Sequence, residues 1–211
     1  VRSRRQRQMC IRDRRNTIVL VMLISAFVAM LNQTILNTAL PAIIKGLNIT
    51  ETTAQWLITG FMLVNGIMIP LTAFLMDKYT TRKLYIFSMA AFLIGSIIAA
   101  LSPGFEILMV ARIIQAIGAG ILLPLMQFTV FTLFPVEKRG FAMGLTGIVA
   151  QTAPAIGPTL TGLLIDFFSW RMPFYIVAAI ALIAFAIGFF FVENNGQTLS
   201  LIHISEPTRP Y

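Results

Sequence analysis

Residues 17–37 read TIVLVMLISAFVAMLNQTILN, with no charged side chain in 21 positions. A bilayer's hydrocarbon core takes about 20 apolar residues of α-helix to cross. This stretch is long enough, and it reaches Asn32, Gln33, Thr34 and Asn37 only in its last third. Five more stretches of the same kind follow: Gln55–Met76, Leu84–Leu101, Ile107–Thr132, Ala142–Asp166 and Pro173–Val192. Each must be helical, because lipid offers no partner to a free N–H or C=O. The chain is 57% hydrophobic and 11% charged over 211 residues, with a mean hydropathy of +0.84. A soluble domain carries about 25% charged residues. The composition therefore excludes a soluble enzyme, a disordered tail and a nucleic-acid-binding domain, despite a pI near 10.4. The expected fold class is an all-α membrane protein of six transmembrane helices, with Pro41, Gly46, Pro103, Gly104, Pro135 and Gly140 in the short loops.

Outward from the spans, both ends change character. Met9-Cys10-Ile11-Arg12-Asp13-Arg14 can be encoded by ATG TGT ATA AGA GAC AGG. The reverse complement of that string, less its final base, is CTG TCT CTT ATA CAC AT, which translates as Leu199-Ser200-Leu201-Ile202-His203-Ile204. The two ends thus read as opposite strands of one inverted DNA element, and the string resembles a transposon end used in sequencing-library preparation. Residues 1–14 and 199–211 are expected to be adapter-derived tails, leaving 15–198 as the six-helix unit and a natural protein that continues past Thr198. The only Cys, Cys10, and the only His, His203, lie in those tails, and the interior carries a net charge of +3. Cys- and His-based catalysis and Cys/His metal sites drop out with them, and no paired carboxylates share a span. No enzyme activity, cofactor or metal is expected.

Basic residues set the expected orientation. With the N-terminus in the cytoplasm, the inner side collects Arg15, Lys78, Arg82, Lys83, Lys138 and Arg139, and the outer side only Lys45 and Arg171. Polar side chains inside a membrane tend to face protein or water. Spans one and four hold most of them, with Asn32, Gln33 and Asn37 in one and Arg112, Gln115 and Gln127 in the other. Those spans are expected to line something wet, and polar-poor spans three and six to face lipid. Arg112 is costly near a span centre, by at least about 2.5–3.5 kcal/mol, and snorkelling to the outer face is its expected partial escape.

Four motifs then appear in order. Leu31-Asn32-Gln33-Thr34-Ile35-Leu36-Asn37-Thr38-Ala39-Leu40-Pro41 closes span one, where Pro41 alone reads as a helix stop. Ala73-Phe74-Leu75-Met76-Asp77-Lys78-Tyr79-Thr80-Thr81-Arg82-Lys83 joins spans two and three. Arg112-Ile113-Ile114-Gln115-Ala116-Ile117-Gly118 lies in span four, with Arg112 and Gln115 on one helical face. Span five spaces Gly144, Ala153, Gly157-Pro158 and Thr161-Gly162, small residues that permit close helix approach and prolines that remove backbone donors. Phe134-Pro135-Val136-Glu137-Lys138-Arg139-Gly140 and Ser169-Trp170-Arg171-Met172-Pro173-Phe174 flank spans five and six.

Together these resemble the N-terminal half of a major facilitator superfamily transporter, nearest to the fourteen-helix drug:proton antiporter branch. The resemblance covers about Arg15 to Thr198. Asn32 stands where the branch's span-one motif has Asp, and Asn cannot exchange a proton. Ala73, Thr80 and Thr81 replace Gly, Gly and Arg of the loop motif, and Ala116, Ala153 and Thr161 replace glycines. The resemblance implies two three-helix inverted repeats forming one half of an alternating-access transporter. It implies efflux of small amphipathic compounds, cationic or neutral, in exchange for protons. Asn32, Gln33, Asn37, Asn65 and Gln115 would line the substrate path, and Arg112 would serve proton coupling. Asp77, Lys78, Arg82 and Lys83 would form a cytoplasmic gate, and Gly144, Gly157, Pro158 and Gly162 the antiporter motif. The implied partners are the substrate, protons, the lipid bilayer and a missing C-terminal half, without nucleic acid. The implied location is a bacterial plasma membrane. The coupling carboxylate is unassigned, with Asp166 a weak candidate. Two alternatives remain: export of an endogenous metabolite, lipid or peptide on the same fold, or a non-transporting membrane scaffold or sensor.

Overall fold

The computed structural model describes the backbone of residues 2–191 and the side chains of residues 17–190. Residues 199–211 lie outside the described residues, as do the side chains of residues 1–14 and of Arg15. Six helices account for nearly everything described: α1 Arg2–Leu47, α2 Glu51–Lys78, α3 Thr81–Leu101, α4 Phe105–Leu133, α5 Val136–Phe167 and α6 Met172–Phe191. All six contain a segment long and apolar enough to cross a membrane. They match the six expected spans, and every helix except α6 is longer than its apolar stretch.

The extensions correct three readings of breakers. Pro41 does not stop α1 but lies inside it. Losing one backbone bond at proline costs less, in lipid, than opening the helix and orphaning many. α1 ends six residues later, where Asn48 takes φ 53° and the Ile49 amide reaches back to the Ile44 carbonyl at 3.3 Å. This is a left-handed cap in which the C″ amide satisfies the C3 carbonyl. Gly46 sits within the helix instead, on the space taken by the Trp170 indole. Gly140 likewise lies inside α5, which starts directly after Pro135.

Packing follows a two-fold pattern. α2 packs on α4 as α5 packs on α1, and α3 packs on α4 as α6 packs on α1. Exchanging α1–α3 for α4–α6 therefore maps each pairing onto another, as two three-helix repeats require. Two apolar clusters fill the bundle. One runs through Met22, Ala26, Leu31, Phe61, Met89, Phe92, Ile121, Leu125 and Val177. The other, around Leu36, Ile43, Leu57, Leu108 and Phe174, closes the end that carries Lys45 and Arg171.

α3 faces outward along one apolar stripe, Phe87, Ile94, Ile97 and Leu101, as expected, but its other side packs on α4 and α6. Within its spanning window 56% of residues are buried, against 28% for α2 and 17% for α5. Its lack of strongly polar side chains did not reveal the packed side, because lipid tails and a protein core are equally apolar. The informative residues were small ones. A Cβ on Gly95 would stand 2.8 Å from the Ala111 carbonyl oxygen and the Gln115 amide, and one on Gly118 would stand 2.8 Å from the Phe92 amide. Tyr85 adds a polar tie, with its hydroxyl 2.8 Å from Ser25 Oγ and 3.2 Å from the Ala184 carbonyl. That one side chain joins α3 to α1 and α6.

Candidate transport site

Arg112 is the eighth residue of α4, about 10 Å of rise from its start. It does not snorkel. The side chain is 1% exposed, with Nη1 donating to Gln115 Oε1 at 2.8 Å and the guanidinium 4.2 Å from the Phe61 ring centroid. Gln115 is fixed in turn by Nε2 donating to Ser96 Oγ at 2.9 Å, and Ser96 donates to the Phe92 carbonyl at 2.8 Å. The chain Arg112–Gln115–Ser96 thus bridges α4 to α3, while Phe61 brings in α2. A cation over a desolvated aromatic face gains about 2 kcal/mol, and the amide oxygen adds a charge-assisted bond. Arg112 Nε keeps no hydrogen-bond partner. No salt bridge reaches Arg112 among the described residues, because the acids of this region, Glu51, Asp77, Glu106, Glu137 and Asp166, all sit within two residues of a helix end.

The residues expected to line a path fall into two environments. Asn32 and Gln115 are fully buried, whereas Gln33 and Asn65 are half-buried and Asn37 is exposed. Gln115 serves the α3–α4 interface. Asn32 is buried with neither amide atom paired, and the Asn65 carbonyl oxygen is also buried and unpaired. Asn65 abuts α4 where Gly120 lacks a side chain, and Thr72 Oγ1 reaches the Gly120 carbonyl at 3.3 Å on the same seam. Exposed amides Asn37, Gln55, Gln127 and Gln151 lie on four different helices.

The span-five motif divides between two faces of α5. Ala153, Gly157 and Thr161, spaced at i, i+4 and i+8, are buried. A side chain on Gly157 would run into Thr34 of α1. Gly144, Pro154 and Pro158 are exposed, and nothing lies within 4 Å of a Cβ placed on Gly144 or Gly162. The motif's replacements Ala153 and Thr161 thus fall on the packed face. Thr161 is accommodated because its hydroxyl donates to the Gly157 carbonyl at 2.7 Å.

The four expected gate residues are not drawn into one cluster. Asp77 is exposed, and Lys78 lies 4.4 Å from the Phe74 ring centroid. Arg82 turns to the end of α6, where Nη2 donates to the Phe189 carbonyl at 3.3 Å. A cation there suits the negative end of the helix dipole. Lys83 is exposed beside Tyr79. Thr80, a departure from the motif's Gly, is the N-cap of α3, and its hydroxyl oxygen accepts from the Lys83 amide at 3.5 Å. Asp166 is exposed and lines a shallow groove with Lys45, without an ion pair. Reading by residue type missed Phe61 and Ser96, the partners that hold Arg112 in place. The Gly95-Ser96 pair was the available signal, since small residues mark where helices touch.

Comparison with known proteins places this geometry. The Major Facilitator Superfamily model matches residues 22–206. An uncharacterized MFS-type transporter of Bacillus subtilis, YcnB, is 52% identical over 85% of this chain and 38% of its own length. The lincomycin resistance protein LmrB of the same organism is 42% identical over 86% of this chain and 38% of its own. The probable multidrug resistance protein EmrY of Escherichia coli is 30% identical over 90% and 37%. In fold, a crystal structure of a peptide transporter with alafosfalin superposes with a TM-score of 0.75 at 13% identity, over 84% of this chain and 38% of that one. The chain thus spans little more than a third of the length of these relatives. With six apolar helices in two packed repeats, and this match over most of its length, the chain belongs to the Major Facilitator Superfamily.

Proposed function

We propose that residues 15–198 form the N-terminal half of a proton-coupled drug efflux transporter of the fourteen-helix branch, flanked by adapter-derived tails. Such a protein would exchange small amphipathic compounds for protons across a bacterial cell membrane, with its N-terminus in the cytoplasm. The observation that carries this reading is Arg112, a cation held in the membrane interior with no salt-bridge partner among the described residues. A cation there favours the charged form of any carboxylate brought within about 4–6 Å and so sets when that carboxylate takes or releases a proton. With Asn32 in place of an acid, that carboxylate would come from the second half. The α5 face that carries exposed Gly144 and Pro158 and half-buried Gly162 suits close packing by that half, and substrate would bind between the halves near mid-membrane. Gln33, Asn37 and Asn65 would contribute hydrogen bonds to the path, whereas buried Asn32 would lie behind it and Gln115 would act through Arg112. Asp77, Lys78, Arg82 and Lys83 would gate its inner end. The relatives' names, a lincomycin resistance protein for LmrB and a probable multidrug resistance protein for EmrY, support drug export over other cargo.

The test begins with the gene recovered from genomic DNA across both ends and expressed complete in a drug-sensitive bacterium. Cells preloaded with a fluorescent amphipathic dye should extrude it, and a protonophore should stop extrusion. Arg112→Ala should abolish efflux while the protein still reaches the membrane. Unchanged dye retention and drug susceptibility would refute drug efflux. A genomic reading frame that encodes both tails and stops at Tyr211 would refute the half-transporter reading.

A further inference from the structure

Between α2 and α3, at the end of the bundle that carries Lys78, Arg82 and Lys83, lies a groove of about 400 Å³. Leu75, Leu84 and Phe87 form its apolar walls, and Tyr79 and Lys83 line it with polar tips. Phe87 is 57% exposed and Tyr79 50% exposed, so the groove opens outward from the bundle. The three nearby cations are differently committed. Arg82 is turned to the Phe189 carbonyl of α6, and Lys78 rests over Phe74. Lys83 alone of the three lines the groove, at the first turn of α3, where the positive end of that helix also favours an anion. The nearest acid in sequence, exposed Asp77, is on α2 and does not line it.

We infer that this groove binds one anionic phospholipid, with an acyl chain between Leu75 and Phe87 and its phosphate at Lys83 and the Tyr79 hydroxyl. Charge complementarity and depth both favour this occupant. An apolar slot capped by an ammonium at the membrane–water boundary matches a lipid that has tail and phosphate in that order. A soluble phosphate would leave the apolar walls wet, and a zwitterionic lipid would set its own cation beside Lys83. The inference goes beyond the transport reading and does not rest on it.

The test uses the 211-residue chain in nanodiscs of phosphatidylcholine doped with phosphatidylglycerol, read by native mass spectrometry after release. The expected result is one saturable phosphatidylglycerol, retained in preference to phosphatidylcholine. One Lys or Arg near an anionic membrane surface is worth a binding change of about fivefold. Lys83→Gln should lower retention by about that factor, and Lys83→Arg should restore it. Arg82→Gln removes the same charge from the same loop yet should leave retention unchanged. Leu75→Trp, which fills the slot and keeps every charge, should also lower it. Equal loss in Lys83→Gln and Arg82→Gln would mean diffuse attraction and overturn the site. So would equal retention of both lipids, or full retention in Leu75→Trp. Helical content by circular dichroism confirms that each variant is folded before it is compared.

Discussion

Replacing Asn32 by Leu should make this protein more stable. Asn32 is 0% exposed, and both its amide nitrogen and its amide oxygen lack a hydrogen-bond partner. Each neighbour in sequence that is buried, Leu31, Ile35 and Leu36, is apolar. A buried polar group left unsatisfied costs about 1–3 kcal/mol, and replacing it by an apolar group of similar size recovers much of that. Asn and Leu differ little in volume, so overpacking should subtract little. A net gain of about 2 kcal/mol would raise the melting temperature by roughly 4–8 °C for a chain of this size. The assay is thermal unfolding of the purified chain in one detergent, followed by tryptophan fluorescence. Ser25→Ala is the contrasting control. Ser25 lies 2.8 Å from both the Val21 carbonyl and the Tyr85 hydroxyl, so its loss should lower the midpoint. A midpoint for Asn32→Leu that falls as far as that of Ser25→Ala would refute the reasoning. It would show that the Asn32 amide is satisfied in the folded protein and that its polarity holds the bundle together.

Other perturbations separate packing from function. Gly157→Val should destabilise the α1–α5 contact by about 1–3 kcal/mol, since its side chain must displace Thr34, while Gly144→Ala and Gly162→Ala should stay within about 0.5 kcal/mol. Midpoints in detergent read all three, and a loss at Gly144 equal to that at Gly157 would contradict the two-faced α5. Gln115→Leu should cost about 1.5–3 kcal/mol by stripping the amide from Arg112, and Ser96→Ala less, since it removes only the second link. Equal effects of the two would argue against a chain ordered from the guanidinium outward. For orientation, Lys45→Cys and Lys138→Cys in a Cys10→Ser background should react with a membrane-impermeant thiol reagent from opposite sides. Lys45 should label from outside intact cells, and labelling of Lys138 instead would invert the topology.

The six spans were legible because a bilayer imposes one length and one composition on every crossing helix. Their ends were not, for a reason seen at Pro41. Breakers are read against the alternative of a solvated turn, and that alternative disappears where the surroundings are lipid. Pro41 stays helical, and the chain turns only at Asn48, where a left-handed residue and a 3.3 Å amide bond close the helix. Burial was harder to read than span. Polarity marked α1 and α4 as lining something wet, yet Asn32, Arg112 and Gln115 are buried in the bundle, and it did not show that α3, outward-facing along one stripe, packs tightly along its other side. Hydropathy cannot separate a lipid-facing helix from one packed on both sides, whereas residue size can. Gly95 and Gly118 have no room for a Cβ, and this marks α3–α4 as the tightest seam beside Arg112. The same distinction bears on the candidate site. Arg112 and Gln115 were found by residue type and spacing. What those residues do depends on Phe61 and Ser96, which residue type alone ranks as unremarkable core. A guanidinium held by an amide and a ring is charged yet committed to no carboxylate. That arrangement is costly as a structural device, because an apolar pair would pack the same space without a buried charge. Under the proposed coupling role, that cost would be offset if the charge acted on an acid that approaches only in part of a cycle.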